Sequence, residues 1–177
     1  MGAAPTRPRL TGGHARGRPL ATPVPEGARP TAARVREALF SVVGQDLAGV
    51  RVLDAFGGSG LLALEAWSRG AEVTVVERDR AAADAISANV AALGASVQVV
   101  VGDVLATAVG RYHLLLVDPP YAAPVEPVLR ALAAATLQTL VLEHDAAVEP
   151  PAQVPGLALA RTRAYGGTAL SFYVVDP

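Results

Sequence analysis

Four apolar runs in this chain are each followed by an acidic residue, and the stretches between them include helical segments. Val50–Ala55 contains Asp54, Val73–Val76 leads to Glu77, Val97–Val101 leads through Gly102 to Asp103, and Leu114–Val117 leads to Asp118. Short runs of valine and leucine read as strands buried on both faces. Between them, Leu61–Ser68 and Arg80–Leu93 have helical character and stop near Gly70 and at Gly94. This alternation predicts an α/β fold, a mostly parallel sheet with helices on both faces. Ligands of such sheets bind beyond the carboxyl ends of the strands. Acids at four successive strand ends therefore mark one edge of the sheet as the site.

The flanking regions complete the pattern. Thr31–Val43 reads as a helix with Val35, Ala38, Leu39 and Val42 on one stripe, leaving Arg34 and Arg36 off it to face ligand or solvent. After Asp118 come a helix around Val125–Ala135 and a strand at Leu137–Leu142. The runs Leu157–Arg163 and Ala169–Val175 then flank Tyr165-Gly166-Gly167-Thr168 and predict an antiparallel hairpin. A length of 177 residues, 51% of them hydrophobic, suits one domain with a sizeable core. Residues 1–30, rich in Gly, Pro and Arg, read as a poorly ordered or extended arm, and 31–177 as a single domain.

All 15 basic residues are arginine, and their distribution is uneven. The first 36 residues carry a formal charge of +6 and the remainder −7. A basic arm on an acidic body suits contact with phosphates, although a solvated tail has the same composition. There is no cysteine, which excludes disulfides, thiolate metal sites and cysteine nucleophiles. His14, His113 and His144 lack ligand spacing, so no metal is expected. No apolar run has the length of a membrane span, and the expectation is a cytoplasmic monomer.

The loop after the first strand, Gly57-Gly58-Ser59-Gly60, precedes a helix whose first N–H groups point at any ligand there. Gly58-x-Gly60-x-x-Ala63 satisfies a loose dinucleotide fingerprint, and Glu77 is placed to accept from ribose hydroxyls. NAD and S-adenosylmethionine both carry that ribose. Asp54 before the loop suits a positively charged amino acid end better than a pyrophosphate, and Asp103 is placed to accept from an adenine amino group.

Asp118-Pro119-Pro120-Tyr121 is the second motif. Its prolines stiffen the loop and lack N–H donors. An exocyclic base amine is a poor nucleophile, because its lone pair is delocalised into the ring. Two acceptors, the Asp118 carboxylate and the Pro119 carbonyl, can hold its hydrogens and direct the lone pair towards a methyl sulfonium. Tyr121 can stack on the base.

With both motifs in place, the chain resembles the bacterial small-subunit ribosomal RNA guanine-N2 methyltransferase family. The likeness runs from about Gly12 to the C-terminus. It is carried by Gly12-Gly13-x-x-Arg16-Gly17-Arg18, the block Arg29–Phe40, the glycine loop, Asp118–Tyr121 and Tyr165-Gly166-Gly167-Thr168-x-Leu170. The resemblance implies a Rossmann-like class I methyltransferase with a seven-stranded sheet and a reversed last strand, and S-adenosyl-L-methionine as donor. It implies a guanine of 16S ribosomal RNA as acceptor, within an assembled or assembling small subunit. It places Asp118, Pro119 and Tyr121 at the base. It places Asp54, Gly57, Gly58, Gly60, Glu77 and Asp103 at the donor, with Arg78 and Val104 beside them. Arg16, Arg18, Arg29, Arg34 and Arg36 would face RNA. Gly58 stands where the family commonly has alanine, and Ala32-Ala33 replaces a more polar pair.

Other functions remain to be separated from this one. An NAD-dependent oxidoreductase needs a substrate region, and about 35 residues follow the fifth predicted strand. An RNA-binding module without catalysis has no need of Asp118–Tyr121. Adenine and a protein glutamine amide each offer a planar amino group to the same loop.

Overall fold

The computed structural model of the protein describes residues 7–22, 33–107 and 110–176. The elements in chain order are α1 (Ala33–Val43), β1 (Arg51–Asp54), α2 (Leu61–Ser68), β2 (Glu72–Glu77), α3 (Arg80–Leu93), β3 (Val97–Val101), β4 (Tyr112–Val117), α4 (Val125–Ala133), β5 (Thr136–Asp145), β6 (Gln153–Val154), β7 (Leu157–Tyr165) and β8 (Thr168–Val175). The strands form one sheet in the order β3-β2-β1-β4-β5-β8-β7-β6. Strands β3 to β5 pair in parallel, whereas β8 runs antiparallel to both β5 and β7. The seven expected strands are joined by an eighth, the two-residue β6, which pairs with the start of β7. Two residues carry too little hydrophobic pattern to register as a strand in sequence.

Alternation along the strands sorts the side chains into two cores. Val52, Val73, Val75, Leu114, Leu116, Val141, Leu170 and Phe172 face the layer containing α1 and α2. Leu53, Val76, Leu115, Val117, Leu140, Leu142 and Tyr173 face the opposite side, where α4 packs through Val128, Leu129 and Leu132. By the same period of two, Asp54, Glu77, Asp118 and Glu143 all belong to the first face.

Every residue of α2 is buried. A helix buried all round must be covered all round, and residues 7–22 supply part of the cover. Leu10, Ala15 and Leu20 lie in the first core. The expected arm is therefore, over 7–22, part of the body. Gly13, at φ +75°, lets the loop approach α2 so closely that a Cβ there would stand 1.8 Å from the Ser68 carbonyl oxygen. The His14 N–H donates to that oxygen (2.7 Å), and the Ala15 N–H donates to Ser68 Oγ (2.9 Å).

Glu65, fully buried on α2, ties three segments together. It receives the Thr11 N–H at 2.9 Å, Arg36 Nε of α1 at 3.2 Å and Arg69 Nη1 at 2.6 Å. Arg69 also lies over the Phe40 ring, 4.0 Å from its centroid. A buried carboxylate holds its charge only when paired in this way. Arg36 is thus a core residue, and its expected place on an RNA-facing surface is corrected. The helical stripe hid this because α1 is covered by residues 7–22 on a second face. The order of these contacts, Arg36 to Glu65 and Phe40 to Arg69, shows that α1 and α2 run the same way. The start of α1 therefore lies toward the edge where α2 begins.

Candidate active site

The carboxyl ends of β1, β2, β3, β4 and β5 open onto a cleft of about 860 Å³. Gly57, Gly58, Glu77, Arg78, Asp103 and Val104 line one part of it, and Asp118, Pro119 and Tyr121 the other. Nine of the residues expected at donor and base from sequence are thus brought together in one cavity. Asp54 and Gly60 are not on its wall.

The glycine loop is held by the ends of β1 and β2. The Gly57 N–H donates to the Val76 carbonyl at 2.9 Å, and a Cβ on Gly57 would stand 2.7 Å from Val75 Cγ2 and 2.8 Å from Ile86 Cδ1. Glu77 Oε2 accepts from the Gly58 N–H (2.7 Å) and Oε1 from the Asp79 N–H (2.8 Å). Each carboxylate oxygen accepts more than one hydrogen bond, so Glu77 can hold the loop and still receive a ribose hydroxyl. Asp103 is exposed on the cleft, with Oδ1 accepting from the Leu105 N–H.

Asp54 lies behind the loop. Its Oδ2 accepts from the Ala63 N–H at 3.1 Å, and Oδ1 has no hydrogen-bond partner. Burial raises its pKa to about 7, with Glu77 adding and the Ala63 and Phe56 amides opposing. An orphaned buried acceptor here suits a ligand that brings a cationic donor group. The place of Asp54 before the loop predicts direct contact with such a group; in the structure the glycine loop stands in front of it.

Asp118 follows β4 and is half-buried. Burial, then the charges of Glu143 and Asp54, push its carboxyl up to about 8. Pro119 is buried, and Tyr121 stands half exposed on the cleft wall. The Pro120 carbonyl accepts from the Ala123 N–H at 2.7 Å, closing the turn after the prolines. That leaves the Pro119 carbonyl outside the backbone hydrogen bonds among the described residues.

Glu143, near the end of β5, lines the cleft beside Asp118, and sequence reasoning missed it. The predicted strand stopped at Leu142, whereas β5 continues to Asp145. The signal was available, since Glu143 repeats the acid-at-strand-end pattern a fifth time. His144 does not reach the cleft. It is buried, with Nε2 at 2.8 Å from Ser171 Oγ and Nδ1 at 2.8 Å from the Asp145 carbonyl.

The model of the family described as Conserved hypothetical protein 95 matches residues 8–174. The chain belongs to this family. A Bacillus subtilis relative named "Putative rRNA methyltransferase YlbH" is 34% identical over 182 aligned positions, 93% of this chain and 97% of the relative. The Escherichia coli "Ribosomal RNA small subunit methyltransferase D" is 41% identical over 118 residues, 64% of this chain and 60% of that protein. The match thus spans less than two thirds of the E. coli protein. Among solved structures, "Putative methyltransferase yhhF from Escherichia coli" superposes with a TM-score of 0.84 at 32% identity, covering 97% of this chain and 99% of that one. The fold of this Conserved hypothetical protein 95 member is that of the class I, S-adenosylmethionine-dependent methyltransferases.

The expected RNA contacts are less well gathered than the cleft. Arg18 is exposed but donates from Nη1 to the Leu93 carbonyl (3.0 Å) and from Nη2 to the Ala92 carbonyl (3.2 Å), at the end of α3. That end lies at the sheet edge away from the cleft. Arg16, also exposed, lines a shallow groove with Arg9, Ala33 and Glu37, separate from the cleft. Arg34 is exposed near the start of α1, toward the cleft edge. Arg29 lies outside the described residues. Among the described residues no cluster of histidine, aspartate and glutamate offers a metal site, and no helix is long and apolar enough to cross a membrane.

Proposed function

We propose that this protein transfers a methyl group from S-adenosylmethionine to the exocyclic N2 amine of a guanine in 16S ribosomal RNA of the small subunit. The observation that carries the reading is the crowding of Glu77, Asp118 and Glu143 on one cleft, with Asp54 buried behind its glycine loop and Asp118 beside a rigid Pro119 carbonyl. Carboxylates held close together favour a cationic ligand and repel an anionic one. A donor with a sulfonium and an ammonium fits that field. The pyrophosphate of NAD would meet the same carboxylates, which disfavours the oxidoreductase reading. The names of the B. subtilis and E. coli relatives support ribosomal RNA as the substrate class.

When bound, the donor supplies a methyl group on a good leaving group, so positioning is most of what the protein must contribute. Gly57 and Gly58 allow close backbone approach, and Glu77 accepts from the ribose. Asp118 accepts one hydrogen of the guanine amine and the Pro119 carbonyl accepts the other. Tyr121 stacks on the base, which must leave its helix to reach this depth. As the new N–C bond forms, the amine becomes acidic and Asp118 is the acceptor within reach of its proton.

Calorimetric titration with S-adenosylhomocysteine and with NADH separates the two cofactor classes. Binding of the first and not the second is expected. Transfer from labelled donor is then followed into RNA, DNA and protein fractions. Label in 2-methylguanosine supports the reading, label in methyladenine or in a glutamine amide replaces it with another amine acceptor, and no label in any fraction refutes methyl transfer.

A further inference from the structure

Of the arginines first expected to hold RNA, Arg18 and Arg36 are engaged elsewhere and Arg16 lines a groove separate from the cleft, yet the reading above needs cations near the cleft. A strand of the same sheet, two places from β5, carries them. On β7, Arg161, Arg163 and Tyr165 stand opposite Phe172, Leu170 and Thr168 of β8. Phe172 and Leu170 belong to the first core, and Tyr165 packs against it. Residues directly opposite share a face, so the two arginines lie on the same face of the sheet as Asp118 and Glu143. Arg161 lies over the Phe172 ring, 5.0 Å from its centroid, which confirms that side.

Register extends the relation across the sheet. Glu143 pairs with Leu170, and Leu170 pairs with Arg163. Val117 pairs with Leu142, so Asp118 follows on beside Glu143. Asp118, Glu143, Leu170 and Arg163 thus form one cross-strand row. Strands lie about 4.8 Å apart, which puts Arg163 about 10 Å from Glu143 across the sheet. Strand β7 is parallel to β5, so Arg161, Arg163 and Tyr165 climb toward the cleft edge. Successive same-face residues rise about 6.7 Å, a step comparable to the repeat of a single RNA strand. Both arginines are exposed, and the ion pairs among the described residues involve other groups.

We infer that Arg161 and Arg163 form a phosphate-binding strip on β7 that holds the RNA backbone next to the target nucleotide. This rests on the reading of the cleft as an RNA base site. The carboxylates that suit the donor repel phosphates, so the RNA backbone must be held to one side of them. The face provides that separation, with acids from β1 to β5 and bases on β7. Arginine is suited to the task because its fork bonds two phosphate oxygens at once. Arg34, exposed near the start of α1, lies toward the same edge.

The test measures affinity for transcribed 16S ribosomal RNA across a salt series, with S-adenosylhomocysteine affinity measured in parallel. Arg161→Ala/Arg163→Ala should weaken RNA binding at low salt by tenfold or more. It should lower the slope of log affinity against log salt by about 1.4–1.8, the effect of two lost phosphate contacts. Donor affinity should be unchanged, and Arg161→Lys/Arg163→Lys should keep the slope. Arg163→Ala alone leaves Phe172 covered and should lower the slope by about 0.7–0.9, which keeps the test decisive if the double variant folds poorly. Arg51→Ala/Arg111→Ala removes the same charge at the amino ends of β1 and β4 and should leave the slope near that of the parent. If the parent binds RNA and the β7 variants bind it identically, or if the control pair lowers the slope equally, the strip is refuted while the cleft reading stands. If the parent binds no RNA, the strip and the RNA reading fail together, and donor binding alone survives.

Discussion

Asp118 must be a carboxylate to take the amine's proton, yet burial and two neighbouring acids hold its pKa near 8. The sign of the pH dependence follows. As pH rises through that value the acceptor form appears, so kcat/KM should climb about tenfold per pH unit below 8 and level above it. A cationic donor stabilises the carboxylate, so the limb measured at saturating donor should lie at lower pH. A profile flat from pH 6 to 9 would rule out this role. Asp118→Ala should be nearly inactive while keeping its affinity for S-adenosylhomocysteine, because the lost contact acts mainly in the transition state. Glu77 has the opposite signature. Glu77→Ala removes the ribose acceptor and the anchor of the Gly58 and Asp79 amides. Donor affinity should fall by about 1.5–3 kcal/mol, the range for hydrogen bonds to a charged group. Unchanged calorimetric affinity would take Glu77 out of the donor site.

Among the elements, α2 connects the chemistry to the rest of the molecule. Its first turn follows the glycine loop, and one turn on Glu65 binds the 7–22 loop and α1. Arg36→Ala breaks a buried ion pair but leaves Glu65 with Arg69 and the Thr11 amide. The cost should be about 3 kcal/mol, the low end for such pairs, measured as a lower urea midpoint at constant slope. A loss under about 0.5 kcal/mol, the size of ordinary surface substitutions, would mean that Arg36 is not the core residue described. Elements were also where the sequence was most and least informative. Helix α2, α3 and β3 have the predicted bounds, because glycine stops and apolar runs are local signals. The burial of Arg36 and of residues 7–22 is not local. Leu10, Ala15 and Leu20 follow neither helical nor strand period, and their Gly, Pro and Arg neighbours suggest exposure. Only the need to cover an α2 buried on every side betrays them, and that need appears once α2 is placed.

For the molecule as a whole, the acid-lined cleft carries a stability cost that grows with pH. Asp54 and Asp118 have folded-state pKa values of about 7 and about 8, above the ordinary 3.8. The stability this contributes is fully present below about pH 4 and is lost as pH rises through 7 and 8. The ligand-free protein should therefore melt at progressively lower temperature from pH 5.5 to 8.5, and Asp118→Asn should flatten that decline. A melting temperature that rises over this range would contradict the assignment of these groups. The arrangement of acids at strand ends was legible in sequence because the strands are parallel, so that one edge collects every carboxyl end. Glu143 repeats the same acid-at-strand-end pattern, but the strand length that places it is set by pairing with β8. Arg161 and Arg163 alternate on one strand, a pattern that fits a solvated face or a second RNA contact, and only register across three strands relates them to the cleft.

The central claim, a guanine amine methylated at Asp118, is tested most directly in the cell. Small-subunit ribosomal RNA is isolated from a strain lacking this gene and from the same strain carrying the wild-type or the Asp118→Ala protein, then digested and analysed for nucleosides by mass spectrometry. One 2-methylguanosine per 16S RNA should be absent without the gene, restored by the wild type and not by Asp118→Ala. Equal 2-methylguanosine in all three strains would contradict the claim, as would its restoration by Asp118→Ala.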